Sequence, residues 1–418
     1  MPLAAGAQTS PQPADTVLGA PVPAGAEAAR TVPASWLRLD ALPFIPIPEI
    51  STAPHAGVTV GLLPVVLSNN SQGQIDRILA PDIIYSQYFG WGARWRTFKN
   101  VSEDEKWSVV GGAKQSVERE FDAEYDLGLS RDRNWSWIWH AMYDRSGTGR
   151  FFGFGNNTAK SAETTFIDSQ IRAEMTAARN FTHSLQLAYQ LRVDTVEIEQ
   201  SALRDLPTIE TRYPNLLGVG DATELQQRLV LSYDTRDSVT IPHRGMRLAA
   251  FSGFTTRALG SSISYSFVGA DGTYFQPEGD DLTVVTHAAA RYMPTFTNAP
   301  FWAYSQLGGD RSIVGEDQPL RGFASGRFVD RNSVGASIEA RFWVQSYHMF
   351  DTDLKLELAP FIDSGKVFTS MSESPLSHLH VAGGMGFRMI ASPFVVAYVD
   401  MGFGKEKFSV FTGIEYPF

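Results

Sequence analysis

From Gly57 to the C-terminus, apolar and polar residues alternate in segment after segment of about ten residues, separated by Gly, Asn, Asp and Pro clusters. A period of two is a strand period, because successive side chains leave a strand on opposite faces. In SVGASIEARFWV (Ser333 to Val344), Val334, Ala336, Ile338, Ala340, Phe342 and Val344 fall on one face. Ser333, Gly335, Ser337, Glu339 and Arg341 fall on the other. DLKLELAPFID (Asp353 to Asp363) sets Leu354, Leu356, Leu358 and Ile362 against Lys355, Glu357 and Asp363. Such a sheet buries its apolar face on a second sheet or turns it to lipid.

Aromatic placement favours lipid. Trp135, Trp137 and Trp139 share one face of one strand, as in an interfacial girdle, and a sandwich would have to bury all three. The expected fold is all-β, a transmembrane antiparallel β-barrel of about 16 strands over residues 57–418, an even number that closes without edges. A mean hydropathy of -0.14 is what a polar lumen and an apolar coat average to. No run approaches the roughly 20 apolar residues of a membrane-spanning helix. A net charge of -10 without a basic stripe excludes a nucleic-acid partner. The absence of cysteine excludes disulfide scaffolds and thiol catalysis.

The N-terminal 56 residues differ in kind. Ala5, Gly6 and Ala7 form the small-x-small pattern of a signal-peptidase site, so residues 1–56 read as a signal remnant followed by a Pro/Ala-rich periplasmic linker. Within it, PFIPIPEI (Pro43 to Ile50) lacks too many amide hydrogens for a central strand and reads as a polyproline-like strap.

Catalytic constellations are weak, and the chain reads as a non-enzyme with no cofactor. His378 and His380, on one strand face, lack the further ligands of a metal site. Ser377 beside His378 has no nucleophile elbow. Glu103, Asp104 and Glu105 read as a solvated turn, and Asp234, Arg236 and Asp237 as a strand-end charge network.

Four strings carry a resemblance: FFGFGNNT (Phe151 to Thr158), YDTRDSVTIPHRG (Tyr233 to Gly245), QLGGDRSIVGEDQPLRGF (Gln306 to Phe323) and PFIDSGKVF (Pro360 to Phe368). Together they resemble the bacterial surface antigen superfamily, the barrel of the BamA and TamA assembly factors and of the two-partner secretion transporters. In that family a Gly-Gly start, an Arg-Gly-Phe tip and a following Glu-x-Arg strand mark a long extracellular loop folded into the lumen. Gly308, Gly309, Arg321, Gly322, Phe323, Glu339 and Arg341 stand at those places, and Asp363 with Gly365 matches the family's Asp-x-Gly. Alternation independently turns Glu339 and Asp363 inward, where a loop arginine would meet two carboxylates.

The resemblance implies an integral protein of a Gram-negative outer membrane that takes part in inserting or translocating polypeptides. Residues 8–56 are too few and too proline-rich for POTRA domains, so the expectation is a POTRA-less member. Implied partners are client polypeptides, a separate periplasmic or lipoprotein subunit, and outer-membrane lipid including lipopolysaccharide. Ile414, Tyr416 and Phe418 share a face at the terminus and match the family's assembly signal. Pro64 and Pro417, each removing a ladder donor, mark the expected seam between first and last strands. The competing expectation is a passive pore or structural surface protein that keeps the fold only.

Overall fold

A computed structural model describes residues 44–53, 57–70, 75–102, 104–200, 203, 205–309, 319–349, 352–391, 394–406, 408–413 and 416. The first strands are β1 (Ile45–Ala53), β2 (Gly57–Asn69), β3 (Ile75–Leu79), β4 (Asp82–Ser86), β5 (Gly90–Ser102), β6 (Glu105–Lys114) and β7 (Arg119–Leu127). Next come β8 (Trp135–Phe151), β9 (Thr164–Asn180), β10 (Leu185–Glu199), a single-turn helix α1 (Ile209–Arg212), β11 (Gly220–Asp234) and β12 (Gly245–Thr255). They are followed by β13 (Ser264–Pro277) and β14 (Leu282–Asn298), and then by two short strands inside one long connection, β15 (Ser305–Leu307) and β16 (Phe328–Asp330). The sheet resumes with β17 (Asn332–Met349), β18 (Thr352–Phe368), β19 (His380–Ala391), β20 (Phe394–Gly404) and β21 (Phe408–Gly413).

All but β15 and β16 belong to one antiparallel sheet of nineteen strands, which pair in chain order. β3 and β4 both pair with β2 and β5, one after the other, so the nineteen strands occupy eighteen places. Spacing had suggested about 16. One added place is β1, which falls within the segment set apart as linker.

Residues 45–53 are therefore sheet, not strap, and the barrel starts before Gly57. β1 pairs with β2 along its whole length, and Pro46 stands directly opposite Pro64. Two opposed prolines can only form a pair without mutual hydrogen bonds, so neither needs an amide hydrogen there. An edge strand tolerates this where a central strand would not. Pro64 itself is not at the barrel's edge. Its missing donor faces the opposite neighbour, where the register of β2 with β3 and β4 brings Pro81 across from it. That pair loses both ladder bonds, which accounts for the break between β3 and β4.

Burial follows the alternation. On β17 and β18, Ile338 and Ile362 are 57% and 62% exposed, whereas Glu339 and Asp363 are fully buried. An outer wall of exposed Val, Leu, Ile, Trp and Tyr around a charged interior inverts the order of a water-soluble protein, and it is the pattern of a membrane barrel. The longest connections, 152–163, 200–219, 299–331 and 369–379, all leave the same end of the sheet. There Phe151, Phe166, Ile209, Phe301 and Val329 pack into a buried apolar cluster contributed by two of these connections, 200–219 and 299–331, and the adjoining strands. Beneath this cluster lies a charged cavity of about 290 Å³, bordered by Asp168, Arg172, Arg192, Asp194 and Glu224.

Candidate functional site: the loop anchor and the seam

The 299–331 connection leaves β14, forms the β15–β16 hairpin and returns to β17. Its start is a tight turn in which Gly308 and Gly309 take φ of +121° and +93°, values open to glycine and costly to other residues. Gly309 exchanges backbone bonds with Leu320 and Phe323, and Arg321 between them is fully buried.

Arg321 meets three carboxylates, not two. Its Nε and Nη2 donate to the two oxygens of Asp363, both at 2.9 Å, and its backbone N–H donates to Asp363 Oδ2 at 2.9 Å. Nη1 donates to Glu339 Oε2 at 2.8 Å and to Asp400 Oδ2 at 2.9 Å, and the guanidinium carbon lies 3.4 Å from the centre of the Phe361 ring. Two further arginines complete the cluster. Arg341 Nε donates to Glu339 Oε1 at 2.8 Å, and Arg388 Nη2 reaches Glu339 at 3.1 Å and Asp400 at 3.2 Å. Interleaving three cations with Glu339, Asp363, Asp400 and nearby Glu357 is what permits this much charge away from water. Asp400 and Arg388 escaped the sequence reading because each stands singly in an otherwise apolar strand. Only the pairing of β18 with β19 and of β19 with β20 brings them beside Asp363.

The tip rests on a strip of backbone. A Cβ on Gly402 would lie 2.0 Å from the Arg321 carbonyl oxygen, and one on Gly404 would lie 2.4 Å from that of Gly322. Gly322 serves the same contact, since its own Cβ would meet Gly404 and Ala382 below 3 Å. Its function is close approach and not a turn. Gly365 likewise leaves room for Leu307, and Phe323 packs with Leu307, Leu320, Phe328 and Val367.

A second arginine fixes the loop from above. Arg327 donates to both oxygens of Glu406 in the β20–β21 turn, with Nη2 to Oε1 at 2.6 Å. It also donates to Thr158 Oγ1 and to the Thr158 carbonyl, at 2.8 and 2.7 Å. Its guanidinium covers Phe152 and Phe328. Phe328 in turn stacks on His380 at 3.8 Å, and the His380 ring is bonded to the Asn156 carbonyl at 2.8 Å. Three of the four strings thus converge on one assembly.

The fourth does not. In Tyr233 to Gly245, Arg236 forks onto Asp234 at 3.0 and 2.8 Å, and Asp237 accepts the N–H groups of His243 and Arg244. These bonds close a turn at the opposite end of the sheet. His378 and His380 do not share a face: His380 begins β19, while His378 sits in the preceding loop with φ of +56°. Tyr416 turns inward, its hydroxyl donating to Glu357 at 3.1 Å beneath Arg341. Ile414, Pro417 and Phe418 lie outside the described residues.

The seam falls between β1 and β21, which run side by side without a ladder pairing among the described residues. Because Pro46 opposes Pro64 in a pair without mutual bonds, the nitrogens of Pro46 and Pro48 face the seam and can donate nothing to it. The N–H groups turned that way begin at Ile50. Glu49, on the inner face, holds β1 to the wall through Arg96 at 3.4 Å and Arg94 at 3.8 Å.

The Omp85 superfamily domain matches residues 106–406. BamA from Haemophilus ducreyi lacking POTRA domains 1-3 is similar at 12% identity and a TM-score of 0.52, over 84% of this chain and 75% of that one. CdiB from Escherichia coli is similar at 13% identity and a TM-score of 0.53, over 89% and 67%. At such identities these two structures show the fold alone. No curated protein sequence matches the chain. With the family domain spanning most of its length, the chain belongs to the Omp85 superfamily of Gram-negative outer-membrane β-barrels.

Proposed function

We propose that this barrel handles polypeptides at the outer membrane, accepting an incoming strand at the free edge of β1 while the Arg321 loop keeps the mouth closed. The observation that carries the reading is the seam. Among the described residues β1 and β21 lie together without ladder bonds, and two prolines remove donors from the edge where pairing would otherwise form. A strand offered from the side can add to such an edge through main-chain bonds from Ile50 onward. Client recognition then falls to a separate periplasmic or lipoprotein subunit, with no catalytic step in the barrel itself. The buried apolar cluster at the loop end supports this reading over a passive pore.

A photoreactive residue at Ile50 tests it against the same residue at Ile338, which faces lipid in mid-sheet. In growing cells, adducts with newly made outer-membrane or secreted polypeptides are expected at Ile50 and not at Ile338. Equal labelling at both positions, or none at Ile50, overturns the proposal. Steady large conductance in a planar bilayer would favour the pore.

A further inference from the structure

The outer wall around β9 sets an aromatic ladder beside small residues. Trp135, Trp137 and Trp139 of β8 stand on that wall as a ladder, with ring centres 6.3 and 5.9 Å apart and the second pair within 11° of parallel. Opposite them across β9, Tyr189, Leu191 and Val193 of β10 form a second ridge. Between the ridges the outward residues of β9 are Ala177, Met175 and Ala173, so the strand floors a channel. The channel opens into an apolar depression of about 670 Å³ where Ala123, Ala141 and Ala173 follow one another across β7, β8 and β9. At its other end, on the same outward face, stands Arg179. Its guanidinium covers the Trp135 ring at 5.7 Å and donates to the Asn134 carbonyl at 3.1 Å.

The dimensions select an occupant. From Arg179 to Ala173 is six strand residues, about 20 Å. On a strand tilted by about 45°, that descends about 14 Å, close to half of the roughly 30 Å hydrocarbon core. A cation at the rim, an aromatic ladder beside it and an apolar channel one leaflet deep match a phosphate headgroup and its acyl chain. Arg179 lies at the short-turn end, which in barrels of this class faces the periplasm.

The geometry points to a binding site for one inner-leaflet glycerophospholipid, its phosphate on Arg179 and one acyl chain laid along β9. Arginine suits the headgroup because its planar fork accepts a phosphate in a bidentate manner while its face remains stacked on the indole. Ala177 and Ala173 keep the floor low on either side of Met175, whose unbranched thioether can lie along an acyl chain. This inference is independent of how the barrel treats polypeptides.

Native mass spectrometry of the full chain, released from detergent micelles doped with phosphatidylethanolamine and phosphatidylglycerol, tests it. The wild type is expected to retain a single phospholipid. Arg179→Gln and Ala177→Leu should each weaken retention at least tenfold, with gel mobility still heat-modifiable. Ala288→Leu, on the outer face of β14 in a separate apolar depression, should retain lipid as the wild type does. Retention unchanged in both β9 variants overturns the site. So does equal loss in Ala288→Leu, which would mean general annular lipid, or retention of lipopolysaccharide in place of phospholipid.

Discussion

Arg321 grips Asp363 through Nε and Nη2, both at 2.9 Å, and the backbone N–H of the same arginine donates a third bond to that carboxylate. Side chain and main chain of the loop tip are thereby tied to one residue of β18. The tie lies in a fully buried site where no water can replace it. Arg321→Ala would leave Asp363, Glu339 and Asp400 facing one another with one of their shared cations gone. A cost of about 3 to 5 kcal/mol is expected for breaking a buried pair of this kind. The measurement is loop proteolysis together with the temperature at which the folded band disappears on a gel, and both should shift toward instability. Arg321→Lys should recover only part of the loss, since one ammonium cannot span three carboxylates. If Arg321→Ala behaves as wild type, the loop is not anchored here.

The glycine strip gives a prediction that leaves every charge in place. In Gly402→Ala the added Cβ would sit 2.0 Å from the Arg321 carbonyl oxygen, a backbone atom that cannot rotate away. The tip must lift or β20 must bend, and the Arg321 bonds lengthen in either case. Loop proteolysis should rise toward the level of Arg321→Ala. Gly383→Ala serves as control, because its Cβ would meet only the Phe361 carbonyl oxygen at 3.7 Å. Equal proteolysis in the two alanine variants would refute the contact.

Arg327 couples the loop to the C-terminal hairpin through Glu406 and to the β8–β9 connection through Thr158. Arg327→Gln keeps some hydrogen bonding but loses the charge and the fork. We expect faster cleavage in 157–163 and in 405–407, with the Arg321 anchor intact and overall heat resistance reduced less than in Arg321→Ala. Cleavage confined to 299–331 would show that Arg327 steadies only its own loop.

The inward face of the anchor was legible in the sequence because alternation is a local property. Glu339 and Asp363 each sit in an unbroken period of two, so their direction needs no tertiary knowledge. Arg321 was legible only beside the matching strings, since a loop residue has no period to place it. Asp400 and Arg388 were not legible, because their roles arise from which strands become neighbours. The segment 45–53 shows the opposite error. Its prolines were read correctly as ruling out a central strand and wrongly as making a strap, since an edge strand can hold opposed prolines at positions that form no bonds to one another. The same reasoning moves Pro64 from the seam to the β3–β4 break.

The seam prolines yield the last prediction. Pro46 and Pro48 direct their nitrogens away from β2 and toward β21, so each denies the closing ladder one donor. Pro46→Val and Pro48→Val would restore both without disturbing pairing to β2, where those positions form no bonds. Each new bond is expected to contribute about 1 kcal/mol where β21 supplies a carbonyl. Valine also favours the extended backbone that β1 already has. The double variant should therefore keep its folded gel band to a higher temperature, and photoadducts at Ile50 should fall because the edge is now occupied. Pro64→Val is the informative contrast. It restores a donor opposite Pro81, within the sheet, and should raise heat resistance while leaving Ile50 adducts unchanged. If Pro64→Val lowers the adducts and the seam double variant does not, the place that yields to an incoming strand is the β2–β4 break and not the junction of β1 with β21.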